Sequence, residues 1–244
     1  MNATLHVTTL GQSLWLDNLS RSLIRDGTLA RLIAEDGVSG VTSNPSIFQN
    51  ALASSPYYAD DLARLKASEP DVERRYEALV IPDIRDACDL LLPVFERSGG
   101  NDGYVSLEVA PRWAYDAART VAEAQRLSAA VDRRNLLIKV PGTPEGISAF
   151  ESLTTLGINV NVTLLFSIAQ TQAAFDAYLR GLAARVRAGA DVRASHAVAS
   201  LFLSRVDTLV DTQLTAIGTR EALSLRGKAA VAMARLAYQS YRRL

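Results

Sequence analysis

The chain has 244 residues, and 48% of them are hydrophobic, which suits one large globular domain with a substantial core. Its 26 Lys and Arg residues balance its 26 Asp and Glu residues and are scattered along the chain, so the charge favours neither nucleic acid nor an anionic membrane as a partner. A lone Cys88 excludes an intrachain disulfide. Because neither a secretory signal nor a membrane-length apolar run is present, we predict a soluble, cytoplasmic protein that binds a small molecule.

Short apolar segments alternate with long amphipathic helical patterns. This alternation predicts parallel βα units, and therefore an α/β protein with about six such units. A closed parallel barrel of this kind, the (β/α)8 TIM barrel, needs eight strands. The six predicted strands are Ser13 to Asp17, Val38 to Thr42, Tyr104 to Val109, Leu136 to Val140, Ile158 to Leu164 and Ala197 to Phe202.

Capping signals mark three helix starts shortly after strands. Ser167 with Gln170, and Ser204 with Asp207, have the spacing of a capping box or close to it, and Thr143 precedes a proline at a first-turn position. These signals predict helices that begin directly after the fourth, fifth and sixth strands.

The segment from Ser46 to Gly103 is long and mostly helical in pattern. Asp71 is expected to open a helix within it, and Pro82 to kink that helix. We interpret the segment, residues 46–103, as an insertion in a single domain that covers residues 1–244.

Lys139 lies inside the apolar run from Leu136 to Val140, which turn residues close off. A run of this kind predicts a strand buried on both faces, where an ammonium group is costly. Burial favours the uncharged amine, which can attack a carbonyl and form a Schiff base. The alternative is a lysine at a strand end whose ammonium reaches solvent or a carboxylate.

Four other predicted strands end in polar residues that an apolar strand does not need for stability. In parallel α/β barrels the carboxyl ends of the strands converge on one face, where catalytic groups lie. Each residue also has a structural explanation, such as a helix cap, a turn or an ion pair. Taken together, they predict a site that combines the lysine with Asp17, Asn44, Glu108, Asn161 and Thr163.

Six segments, in order along nearly the whole chain, resemble the transaldolase family. They are WLDNLSR at 15–21, TSNPSIF at 42–48, SLEV at 106–109, LIKVP at 137–141, NVNVTLLFS at 159–167 and SLFLSRVD at 200–207. The resemblance implies a (β/α)8 barrel that moves a dihydroxyacetone unit between sugar phosphates through a Schiff base.

The resemblance also implies roles for individual residues. Lys139 matches the Schiff-base lysine, Asp17 the acid/base carboxylate, and Glu108 the carboxylate that works through a bound water. The remaining matches are residues that orient this water or hold the substrate: Thr163 for the water, Asn44 and Asn161 for the donor hydroxyls, and Ser200 and Arg205 near the sugar-phosphate end.

The residue types fit this chemistry independently of the family. An amine condensed with a ketose carbonyl becomes an iminium, which serves as an electron sink for carbon–carbon cleavage. Asp17 suits the base that takes the hydroxyl proton, and the guanidinium of Arg205 suits a phosphate, although a surface ion pair explains that arginine equally well. No metal or other cofactor is expected, since His6 and His196 are isolated and interpreted as structural.

Members of the resembled family continue past the position of Leu244 into two more βα units, which supply another phosphate-binding basic residue. Six strands would leave two unpaired edges, so we expect an incomplete barrel. Three arrangements would cover the edges: self-association, the Ser46 to Gly103 insertion folding over the gap with the helix from Gly227 to Leu244, or a separate chain that supplies the missing units. Of these we expect a homo-oligomer.

Three functional hypotheses remain open. The first is a transaldolase, in one version a specialised-metabolite enzyme that builds long-chain sugars, as the Ala- and Arg-rich composition suggests. The second is a related Schiff-base aldolase that releases its product, and the third is a degenerate barrel that binds phosphosugars or assembles with a partner. Intact Lys139, Asp17 and Glu108 argue against the third.

Overall fold

A computed structural model describes residues 3–244. All six predicted strands are present, and their ends differ from the predicted ones by no more than two residues. The strands are β1 (Leu14–Asp17), β2 (Val38–Thr42), β3 (Tyr104–Glu108), β4 (Leu136–Pro141), β5 (Val160–Leu165) and β6 (Ala197–Leu201).

Helices follow or precede every strand. They are α1 (Ala3–Thr9), α2 (Arg21–Arg25), α3 (Thr28–Asp36), α4 (Pro45–Ser54), α5 (Ala59–Ser68), α6 (Val72–Arg97), α7 (Ala117–Val131), α8 (Pro144–Leu156), α9 (Ile168–Arg187), α10 (Ser204–Ile217), α11 (Arg220–Ser224) and α12 (Ala229–Tyr241), with 3-10 turns at Pro56–Tyr58 and Pro111–Trp113. No helix in the described part of the chain is both long and apolar enough to cross a bilayer.

The six strands form one sheet in the order β1-β2-β3-β4-β5-β6, so each strand is hydrogen-bonded to the next along the chain. The β1–β2, β2–β3 and β5–β6 pairs are parallel. Helical connections between adjacent parallel strands are the repeating unit of the (β/α)8 barrel, of which six strands are present here. The predicted α/β class is therefore confirmed.

The described residues form two compact units. Unit 1 comprises the chain up to Val109 together with Glu123–Ile138, and unit 2 comprises Ala110–Ala122 together with Lys139–Leu244. Strand β4 contributes Leu136–Ile138 to unit 1 and Lys139–Pro141 to unit 2. The single domain over residues 1–244 stays a prediction.

Within unit 1, the predicted insertion is helical throughout most of its length, with α4, α5 and α6 between β2 and β3. Asp71 caps α6 as predicted, because its Oδ1 accepts hydrogen bonds from the backbone N–H groups of Glu73 and Arg74. The 26-residue helix α6 continues through Pro82 and Pro93. Pro82 therefore does not end the helix.

Helix α6 supplies a large part of the core of unit 1. Its buried side chains include Ile84, Ala87 and Leu91, each fully excluded from solvent. Cys88 lies among them, and burial raises the pKa of its thiol to about 12. This cysteine is therefore protonated and inert at neutral pH, as the structural interpretation requires.

A buried ion pair joins the start of α2 to the insertion. The Arg21 Nε donates to Asp83 Oδ1 at 2.8 Å, and the Tyr58 hydroxyl donates to Asp83 Oδ2 at 2.7 Å. The same hydroxyl accepts the backbone N–H of Arg21 at 2.7 Å, and the guanidinium lies 4.5 Å from the centre of the Tyr58 ring. Every charged group is thus paired, which a buried arginine requires.

Two of the three predicted helix caps of unit 2 are confirmed. Thr143 Oγ1 accepts the N–H of Gly146 at 3.0 Å, and Ser167 Oγ accepts the N–H of Gln170 at 3.1 Å. Each hydroxyl satisfies one of the N–H groups that a first helical turn leaves unpaired.

The predicted capping pair of Ser204 with Asp207 is wrong. Helix α10 already begins at Ser204, and the residue before it is Leu203, which provides no side-chain cap. Because Ser204 is itself helical, its hydroxyl is not in the position of an N-cap. The Asp207 carboxylate instead accepts the N–H of Ala230 at 2.8 Å and so joins α10 to the start of α12.

Candidate active site

In unit 1, polar side chains from three strands share one face of the sheet. The register pairs Asp17 of β1 with Thr42 of β2, and Thr42 with Ser106 of β3. Residues paired in this way point to the same side, and Glu108, two residues after Ser106, points there as well. The register therefore brings Asp17, which is exposed, and Glu108, which is half-buried, to the carboxyl ends of the strands on the same face.

The Trp15 indole occupies the same face, two residues before Asp17. The space that it fills exists because Gly40 has no side chain: a Cβ there would lie 2.3 Å from the indole ring. Trp15 Nε1 donates to Asp102 Oδ1 at 3.2 Å, which fixes the ring. The apolar indole thus lies below the polar strand ends.

Glu108 has an aromatic neighbour that the sequence did not indicate. Burial raises the pKa of Tyr76 in α6, and the negative charges of Glu108 and Glu77 raise it further. The Tyr76 phenol therefore stays protonated and able to donate near Glu108. The Phe48 ring packs edge-on against the Tyr76 ring, with centroids 6.2 Å apart.

Asn44 is the N-cap of α4. Its Oδ1 accepts the N–H of Ile47 at 3.0 Å, and its backbone is extended. Asn44 therefore has the structural role, at a turn or helix cap, that was the alternative to a role in the site. Because the cap uses the amide oxygen, the Nδ2 group is the part of Asn44 suited to donate to a ligand.

Thr42 is a candidate that the sequence reasoning missed. Its hydroxyl is buried and has no hydrogen-bond partner within the described residues, although it lies in register between Asp17 and Ser106. A buried hydroxyl without a partner is unusual in a folded protein, so it marks a place where a ligand or water is expected. The only signal in the sequence was its position in the polar end of β2.

In unit 2, Lys139 lies in the middle of β4, and every residue of this strand is buried. Lys139 is 6% exposed, while its neighbours Ile138 and Val140 are 1% and 0% exposed. The predicted burial of the lysine in an apolar strand is therefore confirmed.

Three more predicted residues lie in the neighbouring strands β5 and β6. Asn161 and Thr163 are two residues apart in β5, so both point to one face, and both are buried. The Ser200 hydroxyl of β6 donates to Asn161 Oδ1 at 2.7 Å. This bond orients the amide so that the Asn161 Nδ2 is its donor group.

A bulge interrupts β5 directly after Thr163. The register with β6 shifts between Val162 and Leu165, and Leu164 has a left-handed φ of +62°. Such a conformation costs a leucine on the order of 1 kcal/mol. Because of the extra residue, the regular alternation of faces is interrupted after Thr163. Leu164 is exposed, and Leu165 is fully buried.

The bulge also requires the glycine that follows β4. A Cβ on Gly142 would lie 2.5 Å from Leu165 Cδ2 and 3.2 Å from the Thr163 carbonyl oxygen. The Gly142 N–H donates to this carbonyl at 2.7 Å. The chain after β4 thus passes very close to the end of β5.

Arg205 is exposed in the first turn of α10. Its guanidinium lies 5.3 Å from the centre of the Phe202 ring, and this ring packs against Phe166 with centroids 5.2 Å apart. Aromatic packing holds the arginine at the loop after β6, with its charge in solvent.

Among residues 3–244, no three His, Cys, Asp or Glu side chains are grouped so that they could hold a metal ion. His196 precedes β6, where its backbone N–H donates to Asn159 Oδ1 at 2.8 Å, and burial lowers the pKa of its imidazole. His6 lies on the exposed side of α1.

A parallel sheet with polar side chains at the carboxyl ends of its strands defines a barrel-type α/β enzyme. The family model described as Transaldolase/Fructose-6-phosphate aldolase matches residues 14–244. The chain therefore belongs to the transaldolase family, which is a family of transferases of the pentose phosphate pathway.

Three relatives illustrate this membership. The chain is 78% identical to the transaldolase of Thiobacillus denitrificans over 241 residues, which cover 99% of this chain and 67% of the relative. It is 50% identical to the transaldolase of Neisseria gonorrhoeae over 235 residues, which cover 96% and 65%. It is 49% identical to transaldolase 1 of Streptomyces coelicolor over 231 residues, which cover 95% and 61%. The chain thus spans about two thirds of the length of the curated relatives it matches.

Proposed function

We propose that the protein is a transaldolase that transfers a dihydroxyacetone unit from a ketose phosphate to an aldose phosphate. Fructose 6-phosphate or sedoheptulose 7-phosphate is the donor. The observation that carries the proposal is the burial of Lys139, 6% exposed in an otherwise apolar strand, in a chain of this family. A buried amine has little structural benefit, whereas it suits a nucleophile.

In the proposed mechanism, the Lys139 amine attacks the ketose carbonyl and forms a carbinolamine. Protonation of the carbinolamine hydroxyl releases water and leaves an iminium. Glu108, acting through a water that Thr163 orients, supplies and removes these protons. The half-buried position of Glu108 and the burial of Thr163 support these roles.

Carbon–carbon cleavage follows from the iminium. Asp17 takes the proton of the hydroxyl on the carbon that becomes the aldehyde, and the electron pair of the breaking bond moves to the iminium nitrogen. The products are an enamine on Lys139 and an aldose phosphate that leaves. Attack of the enamine on the acceptor aldehyde reverses these steps, and hydrolysis then frees Lys139.

The remaining predicted residues hold the substrate. We assign the Nδ2 groups of Asn44 and Asn161 to the donor hydroxyls, since the oxygens of both amides accept protein hydrogen bonds. Ser200 orients Asn161, and Arg205 binds the phosphate through its exposed guanidinium. No metal or other cofactor takes part.

Borohydride trapping tests the proposal. Reduction in the presence of fructose 6-phosphate converts the iminium to a stable secondary amine, and peptide mass mapping is expected to place the label on Lys139. The matched control is Lys139→Met, which fills the same space without an amine. Labelling of Lys66 or Lys228 instead, or of no lysine, would contradict the mechanism.

A Schiff-base aldolase is the second candidate, because the matching family model also includes fructose-6-phosphate aldolase. Product analysis with and without an aldose phosphate acceptor separates the two. A transaldolase needs the acceptor for turnover, whereas an aldolase releases free dihydroxyacetone without it.

Three further parts of the proposal rest on the sequence. They are a cytoplasmic location, a homo-oligomeric state, and a specialised role in building long-chain sugars, which the Ala- and Arg-rich composition suggests. Sedimentation equilibrium measures the oligomeric state, and a panel of aldose phosphates of increasing length measures the acceptor preference.

A further inference from the structure

Gln170 in the first turn of α9 contacts two loops, one of which its capping role does not require. Its Oε1 accepts the backbone N–H of Phe166 at 3.0 Å and the hydroxyl of Ser167 at 3.3 Å. These contacts belong to the capping box at the start of α9. Its Nε2, however, donates to the carbonyl oxygen of Gly142 at 3.1 Å, and Gly142 is 28 residues away in the chain.

The two loops held by Gln170 follow the strands that carry proposed catalytic residues. Gly142 directly follows β4, which contains Lys139, and Phe166 directly follows β5, which contains Thr163. One amide side chain thus bonds the chain at the end of both strands. This makes Gln170 a clamp between β4 and β5.

The clamp lies beside a close backbone contact between Gly142 and Thr163. The Gly142 N–H already donates to the Thr163 carbonyl at 2.7 Å, and Gly142 has no room for a Cβ. Gln170 therefore adds a second hydrogen bond, on the carbonyl oxygen of Gly142, so that each of the two peptide planes that meet at Gly142 is held by one hydrogen bond. A rotation of the chain at Gly142 would shift Thr163 relative to the end of β4.

We propose that Gln170 is a positioning residue that sets the end of β4 against the end of β5, so that Lys139 and Thr163 keep the geometry needed for imine formation. The inference rests on the proposed function of these two residues. Gln170 touches no reacting atom, and it acts through Gly142 and Phe166.

The substitution Gln170→Glu separates the clamp from the cap. A glutamate keeps an oxygen that accepts the Phe166 N–H, and a negative charge is favourable at a helix N-terminus. It loses the donor to the Gly142 carbonyl and faces this oxygen with a carboxylate. Gln170→Ala removes both the cap contact and the clamp.

Gln172 provides the matched control. It lies in the same helix, is half-buried, and its Nε2 donates to Asp176 Oδ1 at 2.9 Å. Gln172→Glu and Gln172→Ala make the same chemical changes without touching either loop. They are expected to leave the rate of imine formation unchanged.

The measurement is the rate of borohydride-trapped label on Lys139 with fructose 6-phosphate, together with the melting temperature. Gln170→Glu is expected to keep the wild-type melting temperature and to trap about tenfold more slowly, as expected for one lost hydrogen bond to a positioned group. The ratio of its rate to that of the wild type is expected to rise as the pH is lowered, since a protonated carboxyl donates again. Loss of the clamp is also expected to speed hydrogen exchange at the Gly142 amide.

The proposal is overturned if Gln170→Glu traps at the wild-type rate. It is also overturned if the slow rate accompanies a lowered melting temperature and low pH does not restore the ratio, because Gln170 then supports only stability. A wild-type protein that traps no ketose phosphate contradicts the proposed function instead, and the exchange rate at Gly142 still reports whether the clamp exists.

Discussion

The hydroxyl of Ser200 donates a 2.7 Å hydrogen bond to the Oδ1 of Asn161. The two residues lie on adjacent strands, and Asn161 is 1% exposed. An amide presents a donor at one end and an acceptor at the other, so a partner on one end decides what the other end offers. Ser200 thereby holds the Asn161 amide with its oxygen toward β6, which is the orientation that the proposed donor role of its Nδ2 needs.

Ser200→Ala is expected to lower kcat/KM for the ketose phosphate by up to about tenfold, because the Asn161 amide is no longer held in one orientation. Steady-state kinetics measure the effect. Ser152→Ala, which removes an exposed hydroxyl from α8, is the control and should leave the kinetics unchanged. An unaltered kcat/KM in Ser200→Ala would show that Asn161 keeps its orientation by other means.

Asp17→Asn and Glu108→Gln are expected to fail at different steps. Loss of a general acid or base costs on the order of 10²–10⁴ in rate. Asp17→Asn should still trap a Schiff base with the donor and fail in carbon–carbon cleavage, whereas Glu108→Gln should form the Schiff base slowly. Single-turnover trapping separates the steps. If both variants trapped at the wild-type rate, the role given to Glu108 would be wrong.

Arg205→Ala is expected to raise the KM for phosphorylated sugars more than it lowers kcat, since a contact made equally in ground and transition states is removed. Dihydroxyacetone carries no phosphate, and its use as a minimal donor should be unaffected. Arg220→Ala, in the exposed helix α11, controls for the general loss of positive charge. Equal losses with both kinds of donor would mean that Arg205 is structural.

His196→Gln is expected to flatten the acid side of the stability curve. Burial lowers the pKa of His196 from its usual value of 6.5, so the folded state favours the neutral imidazole. As the pH falls below about 6.5, the unfolded chain takes up the proton first, and stability is lost until the folded pKa is passed. Urea unfolding at pH 7.5, 6.5 and 5.5 measures the slope. The exposed His6→Gln is the control, and an unchanged slope in His196→Gln contradicts the prediction.

The sequence was sufficient to predict the sheet and most of the strand ends. Apolar runs closed by turn residues identify strands because burial on both faces leaves few polar positions, and this is why Lys139 stands out. The spacing of Ser204 and Asp207 gave a wrong prediction, because capping depends on the residue at which the helix begins. With Ser204 as the cap, the helix would begin at Arg205, whereas α10 begins one residue earlier, at Ser204, after Leu203.

Other features depend on contacts that spacing does not contain. The bulge at Leu164 arises from the register of β5 against β6. A run of apolar residues does not indicate that one leucine has a left-handed φ. The donor contact of Gln170 reaches a carbonyl 28 residues away. Thr42 became a candidate only when its hydroxyl was found buried and without a partner among the described residues.

During synthesis, the buried ion pair of Arg21 forms only after a later segment of the chain has been made. Its partners Tyr58 and Asp83 come 37 and 62 residues later. At a synthesis rate of about 5–20 residues per second, Asp83 follows Arg21 by roughly 3–12 seconds. During this interval Arg21 lacks its buried carboxylate partner, since Asp61, which comes 40 residues after Arg21 and also pairs with it, is 40% exposed. The surroundings of the end of the first strand, which carries the proposed base Asp17, are thus completed only after the insertion has left the ribosome and docked.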